Sequence, residues 1–246
     1  MSFRTLFVLP CYIFLTIGFS LLALGTALFD SNGNRVHRVA VLWADMVLLI
    51  SGVRVQLFNA EVLDPNQSYI FAANHRSAYD IPALLSKLPI PFRWLAKEGY
   101  FKVPLFGWAM KRAGYISINR SNPKQAYQSL RQAAQKVNEG TSVIIFPEGT
   151  RQKTDQLGAF KKGGFVLALK SEKPMVPVAI QGSGRVLSKG GFWITPGTIN
   201  VVLGNPIPTE CYCKKKDADI LMKKVREAIE ENLTFKNPES RSQKSE

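Results

Sequence analysis

The chain has 246 residues, with 32 Lys and Arg against 18 Asp and Glu, for a formal net charge of +14. Hydrophobic residues make up 46%, an ordinary share for a chain that buries a core, which excludes intrinsic disorder for most of it. Three cysteines (Cys11, Cys211, Cys213) with no Cys-x-x-Cys pair, and two histidines (His37, His75), exclude a disulfide framework and a multi-histidine metal site. No metal and no other cofactor is expected, and the basic excess needs an anionic partner or surface.

The first element is uncharged from Thr5 to Phe29 and bounded by Arg4 and Asp30. As a helix its 25 residues reach about 37 Å, enough for a hydrocarbon core of about 30 Å. Turn chemistry follows in Ser31-Asn32-Gly33-Asn34. In 39–53 the apolar residues Val39, Leu42, Trp43, Met46, Ile50 and Val53 recur at helical spacing around Asp45. This predicts an interfacial amphipathic helix or the return arm of a hairpin sunk in one leaflet. Whether the first segment spans the bilayer or is re-entrant stays open. A cleaved signal peptide is the alternative, although the run exceeds a usual apolar core of about 7–15 residues. Residues 1–58 hold four basic and two acidic side chains, so +12 remains on the rest. An anchor followed by a basic domain is the pattern of a protein held on the anionic phospholipid leaflet at the cytoplasmic face.

From residue 54 onward, short apolar runs alternate with helical patterns. Strands are predicted at 54–58, 69–73, 92–96, 115–118, 142–147, 175–181 and 198–203, and helices at 79–88, 103–112, 123–138, 163–170 and 217–233. The alternation predicts an α/β domain with a mostly parallel or mixed sheet flanked by helices, preceded by the hydrophobic helical anchor. The expected divisions are an anchor at 1–58, an α/β domain at 59–235 and a polar, disordered tail at 236–246. Pro177 within 175–181 suggests an edge strand or a bulge.

Chemistry is expected at strand ends, where α/β proteins place their sites. The strand at 69–73 runs into Asn74-His75-Arg76-Ser77-Ala78-Tyr79-Asp80. Five positions along a helix rotate about 140° net, so His75 and Asp80 meet only if His75 lies in the loop and Asp80 in the first helical turn. A carboxylate on one ring nitrogen would fix the tautomer and make the other a general base. A structural histidine beside a helix-capping Asp is the competing reading. A second cluster, Phe146-Pro147-Glu148-Gly149-Thr150-Arg151, ends the very apolar strand, and Arg151 has the fork geometry for phosphate. Lys161 and Lys162 precede a helix and offer an anion two cations, although a solvated loop would look the same. A third cluster runs from Gly114 to Arg120.

Together and in this order, these blocks resemble the glycerolipid acyltransferase family, most closely the 1-acylglycerol-3-phosphate (lysophosphatidic acid) acyltransferases, over residues 54–205. The resemblance implies that His75 is the base and Asp80 its partner, acting on the free sn-2 hydroxyl of lysophosphatidic acid. That oxygen would attack an acyl thioester, acyl-CoA or acyl-carrier protein, to give phosphatidic acid. It also implies that Arg120, Glu148, Gly149, Thr150 and Arg151 serve acceptor binding, with the arginines on phosphate, and that Lys97 adds a phosphate contact. Independently, no Gly-x-Ser-x-Gly elbow is present to form an acyl-enzyme. Another lyso-lipid acceptor, and a membrane thioesterase in which His75 activates water, remain as alternatives. A nucleic-acid partner is not expected, because it leaves the apolar N-terminal segment without a purpose and no recognition motif is present.

Overall fold

The structure, a computed structural model, describes residues 4–119, 121–210, 212 and 217–236. Two helices come first, α1 (Arg4–Thr26) and α2 (Asn34–Ser51). Gly52, at φ 65°, ends α2 in a left-handed turn that few side chains tolerate, and β1 (Val53–Phe58) starts at once. The remaining strands are β2 (Ile70–Ala73), β3 (Phe92–Lys97), β4 (Ile116–Ile118), β5 (Ser142–Ile145), β6 (Met175–Gln181) and β7 (Gly197–Leu203). Between and after them lie α3 (Asp80–Lys87), α4 (Glu98–Phe101), α5 (Phe106–Arg112), α6 (Pro123–Asn138), α7 (Gly163–Ser171), α8 (Ser183–Val186) and α9 (Asp217–Leu233).

The seven strands form one mixed sheet in the order β1-β7-β6-β2-β5-β3-β4, parallel throughout except for the antiparallel pair β6–β7. Every expected strand is present, with ends shifted by no more than two residues; β2, β5 and β6, the strands at the middle of the sheet, are apolar runs buried on both faces. Side chains alternate between two cores. Phe71, Ile144, Val176, Val178 and Ile180 face the side carrying α2 and α3. Ile70, Ala72, Val143, Ile145, Met175 and Ala179 face the side carrying α6, α7 and α9. In α6 the cap is Asn122, whose side chain accepts from Gln125 N–H, with Pro123 at the first helical position.

Two expectations change. Pro177 lies in β6, an interior strand. Its carbonyl accepts from Gly204 N–H at 2.8 Å where β7 has ended, and pairing resumes only at Met175–Ile207. The missing N–H thus falls at an interruption of the ladder, which is how an interior strand tolerates proline. The helix of 39–53 begins five residues earlier, at Asn34, and its apolar stripe is divided between the protein and the open side. Val36, Val39, Trp43, Val47 and Leu48 are inward, whereas Leu42, Met46 and Leu49 are exposed. The inward stripe meets α1 and α3.

Helix α1 is apolar over a length that could cross a membrane. One face packs on α2 and α5 through Val8, Phe19 and Ala23. Leu6, Phe7, Ile13, Phe14, Ile17, Leu21 and Leu22 are exposed on the rest. The turn into α2 is held by Arg93 of β3, which is 2% exposed and donates to Asn32 O at 3.0 Å and Asn34 Oδ1 at 2.6 Å. The hairpin is therefore fastened to the sheet by polar bonds as well as by apolar packing. Most of the tail, along with Arg120, Cys211 and Cys213, lies outside the described residues.

Candidate active site

Strands β2 and β5 are parallel neighbours, Ala72 pairing Ile145, so the loops after them emerge side by side. Asn74 fixes the first loop: its side chain accepts from Ile180 N–H at 2.6 Å and donates to Ile180 O at 3.0 Å, extending β2 against β6. His75 follows in the loop and Asp80 opens α3. This satisfies the condition that the spacing required, and His75 Nδ1 lies 2.8 Å from Asp80 Oδ2.

Asp80 is buried, and Oδ2 also accepts from Arg76 N–H at 2.7 Å and Ser77 N–H at 2.9 Å. Three donors thus converge on this one oxygen of the residue that opens the first turn of α3. With Asp80 as acceptor, Nδ1 carries the proton and Nε2 is left with a lone pair. The imidazole stacks on Phe146 at 3.9 Å with 14° between planes, and Phe146 stacks on Trp94 at 5.7 Å. The ring is thus held at one edge by a carboxylate and across one face by an aromatic stack.

Glu148 is placed differently from the expectation. It is buried, is not part of the cavity wall, and has both carboxylate oxygens engaged with backbone: Oε1 accepts from His75 N–H and Oε2 from Gly158 N–H, each at 2.8 Å. Burial raises its carboxyl above the ordinary range, against the lowering effect of those two donors. Its geometry is that of a brace between the His75 loop and the loop after β5. A further bond, Gln152 N–H to His75 O at 2.8 Å, closes the same pair of loops. Arg226 of α9 supports the far side, donating to Gly158 O at 2.8 Å and Leu157 O at 2.9 Å.

A cavity of about 910 Å³ opens onto the imidazole. His75, Lys97, Gly149, Thr150 and Arg151 all line it. Arg120 lies outside the described residues, although its neighbours Asn119 and Ser121 line the cavity. Of the two lysines before α7, Lys161 lines the cavity while Lys162 pairs with Asp219 at 2.8 Å. The same cavity is lined by apolar residues too, among them Phe19 and Ala23 of α1, Val39 and Trp43 of α2, Ala109 of α5 and Ala113 just after it. Gly149 sits at φ 74°, a conformation that keeps a side chain out of the turn between Glu148 and Arg151. Among the described residues no group of three or more His, Cys, Asp and Glu could hold a metal ion.

Sequence reasoning missed the bracing. Asn74 carries no local signal of its role, because its partner Ile180 is 106 positions away. Trp94 reads only as a core residue of a strand, and Arg226 as one charge on an amphipathic helix.

A mixed α/β sheet that brings His75 and Asp80 together at the mouth of one cavity, with Lys97, Arg151 and Lys161 in its lining, is a candidate active site. Sequence comparison makes this specific: a family profile described as Acyltransferase matches residues 54–181, and the chain belongs to that family. A chloroplastic 1-acyl-sn-glycerol-3-phosphate acyltransferase of Brassica napus is 34% identical over 85% of this chain and 59% of its own length. The 1-acyl-sn-glycerol-3-phosphate acyltransferase of Pseudomonas aeruginosa is 34% identical over 69% of this chain and 64% of its own. The chain thus spans less than two thirds of the length of these curated relatives. The crystal structure of PlsC, the 1-acyl-sn-glycerophosphate acyltransferase of Thermotoga maritima, superposes with a TM-score of 0.77 at 22% identity, over 95% of this chain and 96% of that one, and shares its fold.

Proposed function

We propose that this protein transfers an acyl group from an acyl thioester, acyl-CoA or acyl-carrier protein, to the sn-2 hydroxyl of lysophosphatidic acid, making phosphatidic acid. The observation that carries the reading is the His75–Asp80 pair, at 2.8 Å, opening onto a cavity lined both by cations and by apolar side chains. His75 Nε2 takes the hydroxyl proton as the oxygen attacks the thioester carbonyl carbon. Asp80 stabilises the imidazolium so formed. The tetrahedral intermediate collapses with loss of the C–S bond, and the imidazolium returns its proton to the thiolate. The products are ester and free thiol, with no acyl-enzyme.

Arg151, Lys97 and Lys161 hold the acceptor's phosphate, and Gly149 and Thr150 shape the turn that presents Arg151. Arg120 is assigned the same phosphate by its place in the motif order. Glu148 acts as a positioning residue through the backbone of His75. The apolar wall from α1, α2 and α5 receives an acyl chain, as its lining supports. Helix α1 lies within one leaflet with its exposed face toward the acyl chains. This is supported by its packing along α2 and α5 and by the basic excess of the catalytic domain, which suits the anionic cytoplasmic side. The names of the relatives support the acceptor.

The test is phosphatidic acid formation from a labelled acyl thioester with lysophosphatidic acid, beside lysophosphatidylcholine and lysophosphatidylethanolamine. Preference for the acceptor with a phosphate monoester is expected. Equal use of all three would remove the phosphate-binding assignment and leave the family's chemistry on another acceptor.

A further inference from the structure

The connection from α8 to β7 carries Lys189-Gly190-Gly191-Phe192-Trp193-Ile194. Its two aromatics are exposed, Phe192 by 53% and Trp193 by 43%, with their rings edge to face at 5.7 Å. The next residue, Ile194, is buried in the core that also takes Val8 of α1. Its N–H donates to Thr5 Oγ1 at 3.0 Å, which ties the segment to the start of α1. Leu6 and Phe7, the next residues of that helix, are exposed as well. The aromatic pair therefore continues the apolar face of α1 onto the catalytic domain. Arg185 is exposed and Lys189 half-buried at the root of the same segment. Exposed aromatic rings beside basic side chains are the composition of a headgroup boundary, where rings enter the apolar side and cations stay with lipid phosphates.

The root of this segment also touches the site. Leu187 O accepts from Ser77 Oγ at 2.7 Å, two residues past His75. A β-carbon at Gly184 would lie 3.6 Å from Nε of Arg76, the residue that follows His75.

We propose that 189–193 is a second membrane-contact surface whose occupant is the anionic phospholipid leaflet. Together with α1 it fixes the height and tilt of His75 over a lipid acceptor. This rests on the reading of α1 as lying in the leaflet. One elongated helix allows the domain to roll about its axis, and a second contact linked to Ser77 removes that freedom.

The test uses the full chain with vesicles of phosphatidylglycerol and phosphatidylethanolamine, with or without brominated acyl chains that quench tryptophan. Subtracting the emission of Trp193→Phe from wild type isolates Trp193 among the four tryptophans. The expected result is loss of about half or more of this difference emission in brominated vesicles. The double variant Phe192→Ser/Trp193→Ser is expected to need several-fold more vesicle lipid for half-maximal rate, with unchanged turnover in detergent micelles. Equal Trp193 emission in both vesicle types, with the protein co-floating, would overturn this surface and leave the α1 reading standing. Failure of wild type to co-float would overturn both.

Discussion

Replacing Asp80 by Asn separates the charge of the carboxylate from its shape. The amide oxygen can occupy the Oδ2 position and still accept from His75 Nδ1–H, Arg76 N–H and Ser77 N–H, bonds of 2.8, 2.7 and 2.9 Å in the native protein. Those three donors forbid the flipped amide. Its NH₂ then takes the place of Oδ1, which has no hydrogen-bond partner among the described residues. Because that position is unpaired in the native protein as well, the replacement loses no hydrogen bond there, and melting should report a fold close to wild type. The larger effect is on the reaction. When His75 takes the hydroxyl proton, its imidazolium no longer faces an anion. A unit-charge pair at about 4 Å contributes about 4 kcal/mol at an effective dielectric near 20. Losing about 3–4 kcal/mol of transition-state stabilisation lowers kcat by about 10²- to 10³-fold. Asp80 is fully buried and does not line the cavity, so the KM for the acceptor should change little. The assay is steady-state thiol release at saturating donor and acceptor, with CD to verify the fold. A folded Asp80→Asn protein with kcat within about threefold of wild type would refute the assignment of Asp80 as the anion opposite the base.

Other outcomes follow from the same geometry. Arg151→Ala, at the cavity wall, should raise the acceptor's KM by about tenfold and the donor's by less, as expected for loss of a charged hydrogen bond; the reverse order in initial-rate kinetics would move Arg151 to the donor's phosphates. Arg226→Met removes two bonds to the loop carrying Arg151 and should lower kcat/KM by about tenfold, with partial recovery in Arg226→Lys; equal melting-temperature losses without any kinetic change would make Arg226 purely structural. His37, buried beside Arg93, has its pKa pushed down from 6.5 to about 3, chiefly by desolvation and then by that guanidinium. The unfolded chain therefore binds a proton between pH 6.5 and about 3 that the folded chain refuses, so stability falls as pH drops through this window, by about 2 kcal/mol at pH 5. Denaturant unfolding at pH 7 and pH 5 should show a smaller difference in His37→Phe than in wild type.

Much of this architecture was legible because its signals are local. Strands such as 142–145 and 175–180 are apolar runs buried on both faces, and Pro123 with Asn122 marks the start of a helix. The meeting of His75 and Asp80 was conditional on a loop followed by a first helical turn, and that condition is met. What stayed hidden is what depends on distant partners. Glu148 looked like a substrate contact because the residues bracing it, His75 and Gly158, are joined only by the folded loops. Arg93 lies inside a strand and would be read as a surface charge, yet it is buried to hold the turn before α2. The four-residue helices α4 and α8 are too short to carry a period. The apolar stripe of α2 divides, with Val39 and Trp43 packed inward and Leu42 and Met46 on the open side. Apolar residues facing outward carry no mark in the sequence that separates them from core.

The most direct test of the central claim follows free thiol from an acyl thioester with vesicle-bound enzyme, with and without lysophosphatidic acid, for wild type and His75→Ala. General-base transfer predicts thiol release that requires the acceptor and disappears in a folded His75→Ala protein. Release from wild type that is as fast without acceptor, or acceptor-dependent release that survives the loss of His75, would contradict it.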